Sequence, residues 1–248
     1  MKFIDTHIHL QDFNANYTPQ LIKKSIDAGI EGFICVSTSE KDWSRVAKLS
    51  EEYEGITAAF GIHPWYVDKA AEDAILKLET YLRQYPRSMV GECGLDGLKP
   101  EREKQEKLFA AQIDLAQNYK RAILIHSVKS GGMLEKFWPE LKKSVYVIHS
   151  FSGSLEQTRQ ILQNGGYISF SLSILRNKER AEILKQTPKE KILLETDSPY
   201  QGLIKGEQNT PLNLPYLLQE IAKMRQEDAE ELAQTIYQNS QGIINGTY

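Results

Sequence analysis

Phe3-Ile4-Asp5-Thr6-His7-Ile8-His9 decides how the rest of the chain is read. It is a short apolar run that ends in two histidines one residue apart, and along a strand residues two apart face the same side. His7 and His9 are therefore predicted to point together, with Ile8 packing the other way. Working outward, similar short apolar or β-branched runs recur at residues 32–36, 56–60, 88–90, 122–125, 145–148, 167–170 and 192–194, making eight with residues 3–5. Each is followed by a segment of helical period, at about 19–28, 40–52, 71–85, 101–119, 129–141, 155–163 and 178–186, with a final pair of helices from Leu214. Such alternation marks βα units on a parallel sheet, and eight of them can close. The predicted fold class is α/β, a (β/α)8 TIM barrel, with residues 1–248 as a single domain of the size such barrels have. Thr18-Pro19 reads as an N-cap followed by proline at the first helical position, and Ala28-Gly29 and Asn164-Gly165-Gly166 read as helix stops.

Composition narrows the classes. Hydrophobic residues make up 41% and charged residues 25%, which is ordinary for a globular chain and excludes disorder. No apolar run approaches the roughly 20 residues that span a bilayer. The opening Met1-Lys2-Phe3-Ile4-Asp5 reaches charge too early for a signal peptide, so a cytoplasmic location is expected, without membrane association. Two cysteines, Cys35 and Cys93, lie in apolar stretches and are expected to be free thiols. A formal charge of −3 leaves no global basic footprint, so any phosphate contact must be local. A monomer is the expected state.

The five histidines, His7, His9, His63, His126 and His149, all fall at or just beyond predicted strand ends. In an α/β barrel those ends converge on one face, where catalytic groups gather. Glu92 and Asp197 follow strands to the same level, and Asp5 sits just before the first histidine. Imidazole is the commonest metal ligand near neutral pH, so convergence of this set points to a metal centre. Gly91 and Gly94 flank Glu92 and free the backbone for a close approach, which favours Glu92 as a bridge between two metals. Cys93 should face the opposite way, into the core.

These residues resemble the TatD-like metal-dependent deoxyribonucleases, a branch of the amidohydrolase superfamily. The likeness is carried by residues 3–9, Gly61-Ile62-His63-Pro64, Gly91-Glu92-Cys93-Gly94-Leu95-Asp96, Ile125-His126-Ser127, His149-Ser150-Phe151-Ser152-Gly153 and Leu194-Glu195-Thr196-Asp197-Ser198-Pro199. Gln105, Phe109, Gln112 and Ala116 fit the helix after the fourth strand. The resemblance implies one metal on His7, His9, Glu92 and Asp197, a second on Glu92, His126 and His149, and His63 as a substrate-phosphate contact. It also implies a nucleic-acid substrate cut by a 3′ to 5′ exonuclease. Two departures stand out: Ser127, Val128 and Lys129 follow the fifth-strand histidine where the family often carries arginine, and the loop at residues 201–211 offers only Lys205.

The chemistry expected is attack by a water activated between two divalent ions, Zn, Mn, Mg or similar, with Asp197 accepting its proton and Glu92 as the second catalytic carboxylate. His63, Lys129 and Tyr200 are the expected substrate contacts, and Trp65 and Tyr200 could stack a base at the rim. The same ligands could instead serve an amide, ester or lactone hydrolase, or a catalytically weak metal-binding scaffold.

Overall fold

The computed structural model describes residues 1–176, 181–204 and 206–246; Lys205 and the start of the helix expected at 178–186 lie outside the described residues. Eight strands appear where the apolar runs predict them: β1 (Phe3–Ile8), β2 (Ile30–Val36), β3 (Ile56–Phe60), β4 (Met89–Asp96), β5 (Ile123–Val128), β6 (Tyr146–Ile148), β7 (Tyr167–Phe170) and β8 (Ile192–Leu194). They pair in sequence order, every pair parallel. Among the described residues the helices between and after them are α1 (Thr18–Asp27), α2 (Glu40–Glu52), α3 (Ala74–Gln84), α4 (Arg102–Tyr119), α5 (Gly131–Leu134), α6 (Trp138–Leu141), α7 (Leu155–Gln163), α8 (Ala181–Gln186), α9 (Leu214–Arg225) and α10 (Ala229–Asn245). This is a (β/α)8 barrel. No helix among the described residues is long and apolar enough to cross a membrane.

Period-two alternation divides the core. Phe33 and Cys35 of β2 and Ile123 and Ile125 of β5 pack in the large cluster that joins sheet to helices. Their neighbours Ile34, Val36 and Leu124 join Ala59, Met89, Val147, Leu193 and Ile243 in a smaller cluster drawn from six strands and α10. That is the apolar fill of a barrel interior, on which the polar mouth rests. Cys93 packs with the helix-side cluster, and both cysteines are free and buried, so burial pushes the Cys35 thiol up to about 12.

Between β8 and β1 the ring is closed by a seam of its own. Asp197 N–H donates to His7 O at 2.9 Å and His9 N–H to Ser198 O at 2.8 Å. Thr6 Oγ1 donates to Leu194 O at 2.9 Å, and the Asp5 carboxylate accepts from Thr196 N–H at 3.0 Å and from Thr196 Oγ1 at 2.6 Å. Full burial lifts the Asp5 carboxyl to about 7 against those hydrogen bonds. Asp5 thus belongs to the seam, whereas the sequence grouped it with the residues at the mouth.

Two local expectations shift. Helix α1 starts at Thr18 with Tyr17 at the cap, because the Thr18 hydroxyl turns back to Asn14 O at 3.1 Å instead of capping. The helix expected at 129–141 is broken into α5 and α6 by a 3-10 turn, Glu135–Phe137. Gly131 and Gly132 are weak helix formers, and Pro139 lacks the N–H that would continue an earlier turn.

The glycines around Glu92 do permit a close approach, but to the neighbouring strand. A Cβ on Gly91 would lie 2.8 Å from Leu124 O, and one on Gly94 would lie 2.2 Å from His126 O, with φ at +149° and +134°. We expect Gly94→Ala to destabilise the fold by about 1–3 kcal/mol or more. Gly132→Ala, whose added methyl meets nothing within 4 Å, should instead be neutral or stabilise slightly. Urea unfolding midpoints of the two variants against the parent check this.

Candidate metal centre

Every backbone that carries a candidate ligand beyond a strand's regular pairing is pinned to its neighbour. Glu92 N–H donates to Ser37 O at 2.8 Å, His63 N–H to Thr38 O at 2.8 Å, and His149 N–H to Ile125 O at 3.0 Å. With the seam bonds of His9 and Asp197, these fix the height at which each side chain enters the mouth. Asp197 does so with φ of +57°, a left-handed conformation that aspartate tolerates better than most residues.

All five imidazoles converge on Glu92, which is 3% exposed. Its Oε2 lies 3.2 Å from His7 Nε2 and 3.8 Å from His9 Nε2. Its Oε1 lies 2.9 Å from His149 Nε2, 3.1 Å from His126 Nδ1 and 3.3 Å from His63 Nε2. Asp197 Oδ1 completes the first side, 3.2 Å from His9 Nε2 and 3.9 Å from His7 Nε2. Two ligand atoms bound at about 2.1 Å to one tetrahedral ion stand about 3.4 Å apart. The separations of 3.2 and 3.3 Å lie near that edge, and those of 3.8 and 3.9 Å are too wide for hydrogen bonds. The donor set, imidazole nitrogen with carboxylate oxygen, suits Zn, Mn, Fe or Co.

The charges are mutually tuned. Burial opposes ionisation of Glu92, yet the imidazoles of His149, His63 and His7 hold it well below the usual carboxylate range. Burial works against charge on His9, but Asp197 and Glu92 override it and raise the imidazole to about 9. His149 is likewise raised, by Glu92 and Glu195 against burial. His7 is lowered by burial and by His149, against which its ring stacks at 3.9 Å between centroids.

For four of the five histidines the outward nitrogen determines what the inward nitrogen can do; His7 Nδ1 has no partner among the described residues. His9 Nδ1 lies 2.8 Å from Val36 O, which only accepts, so Nδ1 keeps a proton and Nε2 is the nitrogen that would give a lone pair to an ion. His149 Nδ1 faces Glu195 Oε1 at 3.2 Å, and His126 Nε2 faces Asp96 Oδ2 at 3.3 Å, so the inward nitrogen of each is the one that would shed its proton to bind an ion. His63 is the reverse: its Nδ1 accepts from Trp65 N–H at 3.1 Å, so its inward Nε2 carries the hydrogen. His63, Glu92 and His126 lie close enough to share an ion, but that hydrogen makes His63 a donor.

The mouth is a cavity of about 840 Å³. Trp65, Tyr200, His63 and Ser127 line it; Lys129 is not among the lining residues, and its side chain is exposed. Trp65 donates its indole N–H to Asp96 Oδ2 at 2.6 Å and carries Lys99 over its ring at 4.3 Å, while Tyr200 O–H donates to Asp12 at 2.9 Å. Both rim aromatics are thus tied to the carboxylates around them. Three participants escaped the sequence reading: Glu195, Asp96 and Arg176, the last a lining residue. The first two sit inside quoted motifs, and an acidic residue in an otherwise apolar strand end was the available signal. Arg176 follows the seventh strand, where no motif draws attention.

A parallel barrel whose C-terminal mouth gathers imidazoles and carboxylates is the architecture of metal-dependent hydrolases. The model of the TatD related DNase family matches residues 4–245, and the chain belongs to that family. YjjV of Escherichia coli, described as a metal-dependent hydrolase, is 30% identical over 258 aligned positions that cover 98% of each chain. Its crystal structure superposes with a TM-score of 0.92 at 29% identity, again over 98% of each chain. The 3′-5′ ssDNA/RNA exonuclease TatD of Escherichia coli is 31% identical over 231 residues, 85% of this chain and 86% of its own.

If Glu195 orients His149, Glu195→Gln should weaken divalent-metal binding about 10- to 100-fold while leaving the fold intact. Calorimetric titration with Zn or Mn reads this directly; parent-like affinity would remove Glu195 from the site.

Proposed function

We propose that the chain is a divalent-metal-dependent phosphodiesterase that trims single-stranded DNA or RNA from the 3′ end, within one catalytic domain. The observation that carries the reading is the two-sided Glu92 carboxylate, with His7 and His9 on one oxygen and His126, His149 and His63 on the other. On this reading His7, His9, Asp197 and Glu92 would hold one ion, and Glu92, His126 and His149 would hold a second. The names of the aligned exonucleases supply the substrate class.

Divalent ions held there would supply Lewis-acid chemistry toward water and phosphoryl oxygens. The protein's own groups do the rest. Asp197 presents Oδ1 to the histidines, and its Oδ2 is held by the Gln201 amide at 2.5 Å, so the carboxylate is fixed in orientation as it takes up the water's proton. His63 offers its Nε2–H to a nonbridging phosphate oxygen, a donor set in place by Trp65 before substrate arrives. The apolar fill beneath the mouth leaves substrate only the open side from which to approach.

The test is cleavage by metal-reconstituted protein of single-stranded DNA labelled at either end, an aryl phosphodiester and an aryl ester. Phosphodiester cleavage with loss from the 3′ end is expected, and cleavage of the ester alone would overturn the reading. Asp197→Asn should lower kcat by about 10²- to 10⁴-fold. His63→Ala should retain both ions by metal analysis yet raise KM about tenfold or more, whereas Glu92→Gln should lower the metal content.

A further inference from the structure

The arginine absent from the sequence just after β5 and β8 has a counterpart after β7, Arg176. In an eight-stranded ring β3 and β7 stand opposite, so the wall facing His63 and Trp65 is built by residues that follow β6, β7 and β8. That wall consists of Ser150, Ser152, Ser173, Gln201 and Arg176. Gln201 Oε1 accepts from the hydroxyls of Ser150 at 2.9 Å and Ser171 at 2.8 Å, and its Nε2 reaches Asp197. One residue on, Gly202 O accepts a hydrogen bond from the Arg176 guanidinium. The guanidinium is thereby anchored to the segment that touches the water-activating carboxylate. Among the described residues no carboxylate pairs with it. Its remaining donors form a planar fork that matches phosphate, which a lysine at 129 or 205 would not reproduce.

We propose that Arg176, on the wall lined by Ser150 and Ser173, forms a second phosphate subsite for the phosphate next to the scissile one. The substrate class is then a nucleotide chain, or a nucleotide with phosphates on both sides of the sugar, in preference to a simple phosphodiester. Arg176 acts here as a specificity-determining residue. The proposal rests on the phosphodiesterase reading for its scissile phosphate, but its test does not depend on turnover.

Calorimetric titration of metal-loaded protein with adenosine 3′,5′-bisphosphate and with each adenosine monophosphate measures the subsite alone. The parent should favour the bisphosphate about 10- to 100-fold, the worth of one charge-assisted contact. Arg176→Ala should bring the ligands to within about twofold, and Arg176→Lys should keep part of the preference, since charge survives without the fork. A parent without preference, or an Arg176→Ala variant that keeps it, overturns the subsite. So does an equal loss of affinity for all three ligands, which would mark a general change of the mouth. A bisphosphate preference that depends on Arg176, in a protein that cleaves no phosphodiester, would sink the nuclease reading and leave the subsite standing.

Discussion

A carboxylate taken out of water must be compensated, and Glu92 is compensated by every histidine in the chain. Much of the local structure follows from delivering that one group. Strand β4 runs so close to β5 that two positions beside Glu92 admit only glycine, and Ser37 O holds the Glu92 amide from the other side. The histidines then arrive from β1, β3, β5 and β6, each with its backbone in the sheet or bonded to its edge. Neither Glu92 nor the imidazoles would be tolerable alone at this depth; together they form a charge-balanced cluster suited to divalent ions.

The five imidazoles look alike by distance but divide by tautomer. Acceptors behind His9, His126 and His149 leave the inward nitrogen as the one that can open a lone pair to an ion, whereas a backbone donor behind His63 turns a hydrogen inward. The difference comes from groups one layer out, Val36 O, Asp96, Glu195 and Trp65 N. It explains how one shell of similar rings can contain both members suited to ligate an ion and one that presents an N–H.

The fold was legible because strand alternation and helical period are local properties. His7, Ile8 and His9 show this well: spacing alone predicts their opposed directions. The candidate ligands were legible for a related reason, since strand ends of a barrel meet whatever the loops do. What escaped depends on contacts distant in sequence. Asp5 looked like a mouth residue until Thr196, 191 positions away, was seen to hold it. Arg176 and Gly202 meet only because β7 and β8 are neighbours. The break between α5 and α6 was in principle readable from Gly131, Gly132 and Pro139, but the apolar period around them masked it.

The seam between β8 and β1 also sets when the chemistry becomes available. Its bonds join residues 5–9 to residues 194–198, so the chain must bring together segments separated by most of its length before the ring is whole. Contacts of such separation form late and slowly. Asp197 is itself a seam residue, so an intermediate that has not docked its last strand has a histidine cluster without this second candidate carboxylate. Completion of the barrel and assembly of the full candidate ligand cluster are therefore coupled, and a chain that has not closed its ring lacks a complete metal centre.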